Sequence, residues 1–420
     1  MMSNSPLRLA TAAATLLVPL WAFAQRQTLE SGGYFRAGPG ATKKDASRAC
    51  YGLSGAGLKY RLGNECDFYG EFLFSTKMKA DTVDYAINVM PKLYNGGTDS
   101  GSSKLEMQQM FVEGKGFDVA PDVKFWAGKR FYRRADVHIV DTHYIDLSGV
   151  GAGASDIRVG PGHLALGWFR NDGGDLANPV LVDDDNDPLT PPVRPGTRHG
   201  TRFNVDYADL PVNPGGTLRL LGTFVRSDGD DGAGGRNGLG FSAVHEQARL
   251  FGTDLTNQVW LQHARGSAGL NGNFGTPTAT SGVRSTRLID SIVWQQGGFG
   301  GQAQVMFQTD RDEAGVKVDS GTVGGRVSYA LTRHFKLVSE AGYSQRKADG
   351  GATQKLAKFT LAPTLSTGPG FWNRPELRLY VTTAKWNDAA NAAAGTGGVT
   401  GIGDNATKGT SYGAQVEVWW

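Results

Sequence analysis

Short segments of about ten residues recur along this chain with apolar side chains at every second place, and their polarity is inverted relative to a soluble sheet. Leu377, Leu379 and Val381 alternate with Glu376, Arg378, Tyr380 and Thr382. Phe203, Val205 and Tyr207 alternate with Arg202, Asn204 and Asp206, and Ala303, Val305 and Phe307 with Gln302, Gln304, Met306 and Gln308. From Phe68 the apolar set is Phe68, Phe72 and Phe74, leaving Asp67, Tyr69 and Glu71 on the other face. The last segment sets Tyr412, Ala414, Val416, Val418 and Trp420 against Gln415, Glu417 and Trp419. A strand crossing lipid must be apolar outside and can be polar inside. The pattern therefore predicts an all-β chain closed as a transmembrane antiparallel β-barrel.

Connections support this reading. Asn213-Pro214-Gly215-Gly216 and Gly297-Gly298 are tight hairpin turns and fit the periplasmic end. Longer polar stretches, at 95–104, 183–200, 227–238 and 387–408, fit extracellular loops. At about 22 residues per strand and connection, residues 25–420 accommodate about 18 strands in one domain. No internal repeat or linker divides them. Trp420, a terminal aromatic residue, fits the C-terminal signal by which such barrels are assembled.

The amino terminus reads as a secretory signal over residues 1–24. Arg8 is followed by an apolar run from Leu9, and Ala22-Phe23-Ala24 is an A-x-A cleavage site. Beyond it no apolar run approaches the ~20 residues of a spanning helix. The 43 Lys+Arg against 40 Asp+Glu give no basic excess that would indicate nucleic acid. Cys50 and Cys66 are the two cysteines, and an even count in an exported chain favours one disulfide over a metal site. Asp183 to Asp187 imitates a calcium loop, but Pro188 and Arg194 stand where glycine and the last acid are needed. Asp228-Gly229-Asp230-Asp231 is a weaker acidic cluster of the same kind. No cofactor is implied.

One stretch departs from the alternation. Residues 126–155 (WAGKRFYRRADVHIVDTHYIDLSGVGAGAS) start as a strand, pass through Lys129, Arg130, Arg133 and Arg134, then interleave Asp136, Asp141 and Asp146 with His138, His143 and Tyr144. The segment suits a wet, narrow place where hydroxyls are bound and released, although a charged surface loop has the same composition. It resembles the third loop of the maltoporins, the trimeric sugar-specific porins of Gram-negative outer membranes. GGYFRAG at 32–38, KYRLGNEC at 59–66, NPGGTL at 213–218 and GAQVEVWW at 413–420 extend the resemblance over nearly the whole chain.

The resemblance implies 18 strands, a third loop folded inward, a cross-linked first loop and a homotrimer in the outer membrane, with lipid around it. It also assigns roles. Tyr34, Tyr69, Trp386 and Trp419 stand in the lumenal phase, where they either fill space or offer rings to a ligand. They match the family's aromatic slide, on which sugar rings stack. Arg36, Arg61, Glu71, Arg134, Asp136 and Asp141 match its hydroxyl-binding track. Gln108 stands where the family has an arginine, and His143 where it has the tyrosine of the constriction. The loop at 95–104 lacks the family's tryptophan, and near Leu255-Thr256 its mid-channel phenylalanine has no counterpart.

The implied activity is facilitated diffusion of maltose and maltodextrins. The alternatives are a porin for another saccharide, a non-specific porin and, on the carboxylates Asp136 and Asp141, a glycoside hydrolase. Histidine titrates near pH 6.5. Asp141 and Asp146 would favour the charged form of His143, giving a wider constriction whose current changes between about pH 5 and pH 8.

Overall fold

A computed structural model describes residues 28–43, 49–56, 59–97, 103–171, 180–182, 194–196, 198–229, 235–403 and 405–420. The signal segment, the acidic stretch from Asp183 to Asp187, and Asp230 and Asp231 lie outside these residues. Among those described, eighteen antiparallel strands form one continuous wall, from Thr28–Ala37 to Lys408–Trp419. The first and last strands pair, Tyr34 with Trp419 and Arg36 with Glu417, so the sheet closes and no edge faces lipid. The short piece Gly40–Thr42 continues this seam beyond a break at Gly38-Pro39. Gly38 has φ +155°, and a Cβ there would lie 2.0 Å from Ala414 O, so this close approach requires glycine.

The alternation predicts which side chains face lipid. Along Glu376–Trp386 every even position is buried and every odd one exposed, with Glu376 2% and Leu377 55% exposed. Arg202, Asn204 and Asp206 are buried while Phe203 and Val205 are exposed. The two-residue turns lie at 214–215 and 297–298. The described parts of the stretches at 95–104 and 387–408 sit at the opposite end from those turns, and the latter contains the short helix Asp388–Ala393.

Among the described residues four connections turn into the barrel, because their partners are the inward side chains of the wall. In the third loop, Ile139 N donates to Gln302 Oε1 at 3.2 Å and Tyr144 OH to Gln304 Oε1 at 3.0 Å. Gln262 Nε2 donates to Tyr144 O at 2.7 Å, and Arg202 Nη2 to Leu147 O at 2.6 Å. The first loop does the same on the other flank. Lys358 Nζ and Thr360 Oγ1 donate to Leu62 O at 2.9 and 3.0 Å, and Arg61 N donates to Ile139 O of the third loop at 3.0 Å. Its Tyr60 ring lies where Gly324 and Gly342 leave room; a Cβ on Gly342 would come within 2.0 Å of the ring. Residues 266–283 also turn in, with Asn204 Nδ2 donating to Gly272 O at 2.9 Å and Arg287 Nη2 to Asn271 Oδ1 at 2.7 Å, and so does 367–375, at the short-turn end, where Phe371 N donates to Gln295 Oε1 at 2.8 Å.

The interior is therefore not uniformly polar, as alternation alone would suggest. Val137, Ile139, Val140, Ile145 and Leu147 are buried against the inward residues Leu221, Trp260, Ile289 and Met306. Each such aliphatic side chain contributes about 1.5–3 kcal/mol when removed from water. The loop can leave water only where the wall offers an apolar face, so its charged exterior and apolar underside occupy one side of the lumen.

Candidate functional site

The closing seam brings part of the predicted set together. Tyr34 is opposite Trp419 across one strand boundary and opposite Glu71 across the other, and Arg36 is opposite Tyr69. All point inward. The Tyr34 and Tyr69 rings are 6.0 Å apart, and the Arg36 guanidinium stands 5.2 Å over the Tyr69 ring. Tyr69 OH donates to Glu71 Oε2 at 2.6 Å.

Inward segments complete the site. Arg36 donates to Asp67 at 3.1 and 2.6 Å and to Glu65 Oε1 at 2.8 Å, and its Nη1 is 3.4 Å from Asp141 Oδ2. Arg61 reaches Glu65 Oε1 at 2.8 Å, Glu417 Oε1 at 3.1 Å and the Tyr34 hydroxyl. Asp141 is also 3.5 Å from Lys59 Nζ. Burial alone would raise the Asp141 carboxyl, but Arg61, Arg36 and Lys59 hold it down at about 2, so it stays an acceptor at any physiological pH. Asp141 sits at φ +55° after the turn His138–Val140, a conformation acidic side chains tolerate. The result is alternating cations and anions beside two tyrosine rings.

Arg134 lies farther along the third loop, its guanidinium 3.9 Å over the Phe131 ring and its Nη2 3.2 Å from His143 Nδ1. His143 pairs with Asp136 in a short ladder. The expected effect of the acids on this histidine does not prevail. Burial, and next the adjacent Arg134, push the imidazole below its ordinary value despite Asp136, Asp146 and Asp141. Asp141 is engaged by the first loop and Arg36 instead.

Gln108 stands in a β-bulge, since Met90 pairs with Gln109 and Pro91 with Met107. The extra residue resets the phase, so Gln109 is the buried glutamine that anchors the third loop, its Oε1 accepting from Phe131 N at 2.7 Å. Trp386 stands apart. Strand register sets it about twelve residues along the wall from Trp419, or roughly 40 Å. It is 3% exposed, packed on Tyr51 at 5.6 Å and donating from Nε1 to Asn391 Oδ1 at 2.7 Å. Cys50 and Cys66 are joined, with Cα atoms 5.9 Å apart, and close the first loop around Asn64.

Sequence reasoning missed Trp372. It comes from the inward connection 367–375, and its ring lies 6.4 Å from Trp419 and 5.3 Å from the His138 ring. These residues share a cavity of about 650 Å³ with Asp136, Gln258 and Gln302. Thr256, where the expected mid-channel aromatic was missing, borders the same cavity. The available signal was a nine-residue connection carrying adjacent Phe371 and Trp372 at an end where hairpins such as 214–215 and 297–298 use two residues.

A closed barrel with apolar exterior, loops folded into its lumen and a charged, aromatic-lined passage is a porin. The chain belongs to the LamB porin family, whose model matches residues 29–420. Among solved structures it is similar to OccAB1 of Acinetobacter baumannii, at 9% identity, over 93% of this chain and 96% of that one, with a TM-score of 0.51. A BenF-like porin from Pseudomonas fluorescens Pf-5 gives 10% identity, 93% and 98% coverage and a TM-score of 0.51. At these identities the structures speak for the fold alone. The protein is an outer-membrane channel of a Gram-negative bacterium and not an enzyme.

Proposed function

We propose that this porin is selective for carbohydrates and passes maltose and maltodextrins by facilitated diffusion. The observation that carries the reading is the line of lumenal rings, Tyr34, Tyr69, Trp419 and Trp372, flanked by Arg36, Arg61 and Asp141. A pyranose offers an apolar face to such rings and a rim of hydroxyls to the charges. Arginine only donates and carboxylate only accepts, so neighbouring pairs can hand a hydroxyl along as the sugar advances. Glu71, Arg134 and Asp136 extend the track on either side, and His143 and Gln108 border it where the family has other residues. Trp386 belongs to the path only if the loop packed over it opens. No energy source is involved; the gradient drives flux.

The mature chain in this reading is 25–420, released from the signal at 1–24, and it assembles as a homotrimer in outer-membrane lipid. Single-channel current in a planar bilayer, titrated with maltotriose and with sucrose, tests the reading. Saturable block, stronger for maltotriose, is expected. Current insensitive to either sugar would make it a non-specific porin, and stronger sucrose block would assign it another saccharide.

A further inference from the structure

Outside the lumen, four adjacent strands, Leu255–Arg265, Arg284–Gln296, Phe299–Arg311 and Lys317–Ala330, place one cation each in a single cross-strand row. Arg265 is paired with Arg284, Arg284 with Arg311, and Arg311 with Lys317. All four stand in the lipid-facing phase: Leu261, Leu288, Phe307 and Val323 of that phase are exposed, whereas Gln262, Arg287, Met306 and Thr322 of the other are buried. Like charges directly opposite one another repel across about 5 Å. Lys317 is paired with Asp319 at 2.7 Å, but among the described residues Arg265, Arg284 and Arg311 meet no carboxylate. Arg311 is fixed instead by its Nη1, which donates to Gly315 O at 2.6 Å. The other ends of three of these strands carry Trp294, Phe299 and Tyr329 in the same phase.

From the row toward mid-wall the surface is graded. Thr286, Thr309, Asp319 and Lys347 form the next row, and Leu288, Phe307, Gly321 and Gln345 the one after. Asp319 is engaged by Thr309 Oγ1 and Lys317 Nζ, both at 2.7 Å, which leaves Lys347 beside it as a further cation. Gly321 has no side chain to stand between Phe307 and Gln345, and the gap is a groove of about 470 Å³ bordered by Leu288, Phe307, Thr309 and Lys347. In an outer-membrane barrel the short turns face the periplasm, so the cationic row meets the outer leaflet. A free anion would satisfy the arginines and leave the groove unfilled. A neutral lipid would fill the groove and leave the arginines facing one another. An amphiphile with a phosphate at the row and a hydrocarbon chain below it satisfies both, and guanidinium forks match phosphate oxygens.

We propose that this face of the wall holds a phosphorylated lipid of the outer leaflet, its phosphate on Arg284, Arg311 and Lys347 and a hydrocarbon chain in the groove over Gly321. The site lies on the outer wall and does not depend on what the lumen passes. Native mass spectrometry of the intact folded protein, released from micelles doped with diphosphoryl lipid A, tests it. Retained lipid is expected, with about tenfold less retention of dephosphorylated lipid A and no displacement by an equal concentration of inorganic phosphate. Arg284→Gln combined with Arg311→Gln should lower retention of the diphosphoryl form about tenfold. Lys79→Gln combined with Lys115→Gln, at the short-turn end, should match the parent. Gly321→Leu should also weaken retention, because it fills the groove, where a Cβ meets Phe307 at an ordinary 3.5 Å. Equal retention of the two lipids by the parent needs no variant and would overturn the site, as would parent-like retention in the assembled Arg284 and Arg311 double variant. Displacement by inorganic phosphate, or parent-like retention in Gly321→Leu, would overturn the lipid as its occupant.

Discussion

Individual side chains here are decided by what faces them, not by type. Trp419 and Trp386 are both inward tryptophans of neighbouring strands, yet one borders the lumen and the other is closed under Tyr51 and Ala390. Trp419→Ala should weaken maltotriose block roughly tenfold, as expected for losing one stacked ring. Trp386→Ala should change block less than about twofold, while removing packing of about 3–5 kcal/mol beneath 387–407. Faster protease cleavage there would register the loss, and a block as weak as that of Trp419→Ala would place Trp386 on the path. His143 is the second case. Its folded form favours the neutral imidazole, so the stability it brings is present above the unfolded value near pH 6.5 and is lost as pH falls through its lower folded value. The current should be flat from pH 7 to 8 and become more anion-selective only under acid. His143→Tyr should abolish that acid response; persistence of the response in reversal-potential measurements would assign it to another group.

At the scale of elements, the inward loops are held from the wall. The 16-residue separation of Cys50 and Cys66 corresponds to about 3 kcal/mol of loop-closure restraint. Cys66→Ser should free the 60–65 lobe and disturb Arg61 and Tyr34, seen as noisier current, while the barrel still assembles because its hydrogen bonds lie between strands. Glu417 ties the last strand to two of the inward connections, pairing with Arg61 of the first loop and Arg374 of 367–375 as well as with Arg378. It is fully buried, so Glu417→Ala removes the carboxylate shared by three buried arginines and leaves them Glu65 and Glu376, at up to about 3–5 kcal/mol. A lower temperature of unfolding in heat-modifiability gels is the expected result. An unchanged transition would mean that water reaches these charges freely.

For the whole molecule, the outside is set by lipid and the inside by loops. Val323 is an exposed mid-strand residue paired with Val305, and Gln308 is an inward residue beside Asp310. Val323→Arg should cost up to about 2–4 kcal/mol in the bilayer and depress assembly into liposomes, whereas Gln308→Arg should assemble normally and alter ion selectivity. Equal assembly of both would contradict the assigned faces.

Period-two alternation depends on nothing beyond neighbouring residues and the need to keep apolar groups in lipid. Barrel class, strand number, lipid face and the inward phase of Tyr34, Tyr69 and Trp419 were therefore legible in the order of residues alone. The third loop stood out through its resemblance, and its Asp141 lies 3.4 Å from Arg36 at the seam. What the sequence could not carry was every property that depends on residues far apart meeting inside the closed wall. A bulge at Gln108 set Gln109 in the buried phase, where it anchors the third loop. Burial and then Arg134, not the acids, set the direction in which His143 shifts. Trp386 acquired a cover from a loop, and Trp372 arrived from a turn to face Trp419. Alternation specifies a face and leaves open what occupies the space in front of it; that depends on closure of the barrel, which brings the first and last strands together and leaves four of the described connections to share one lumen.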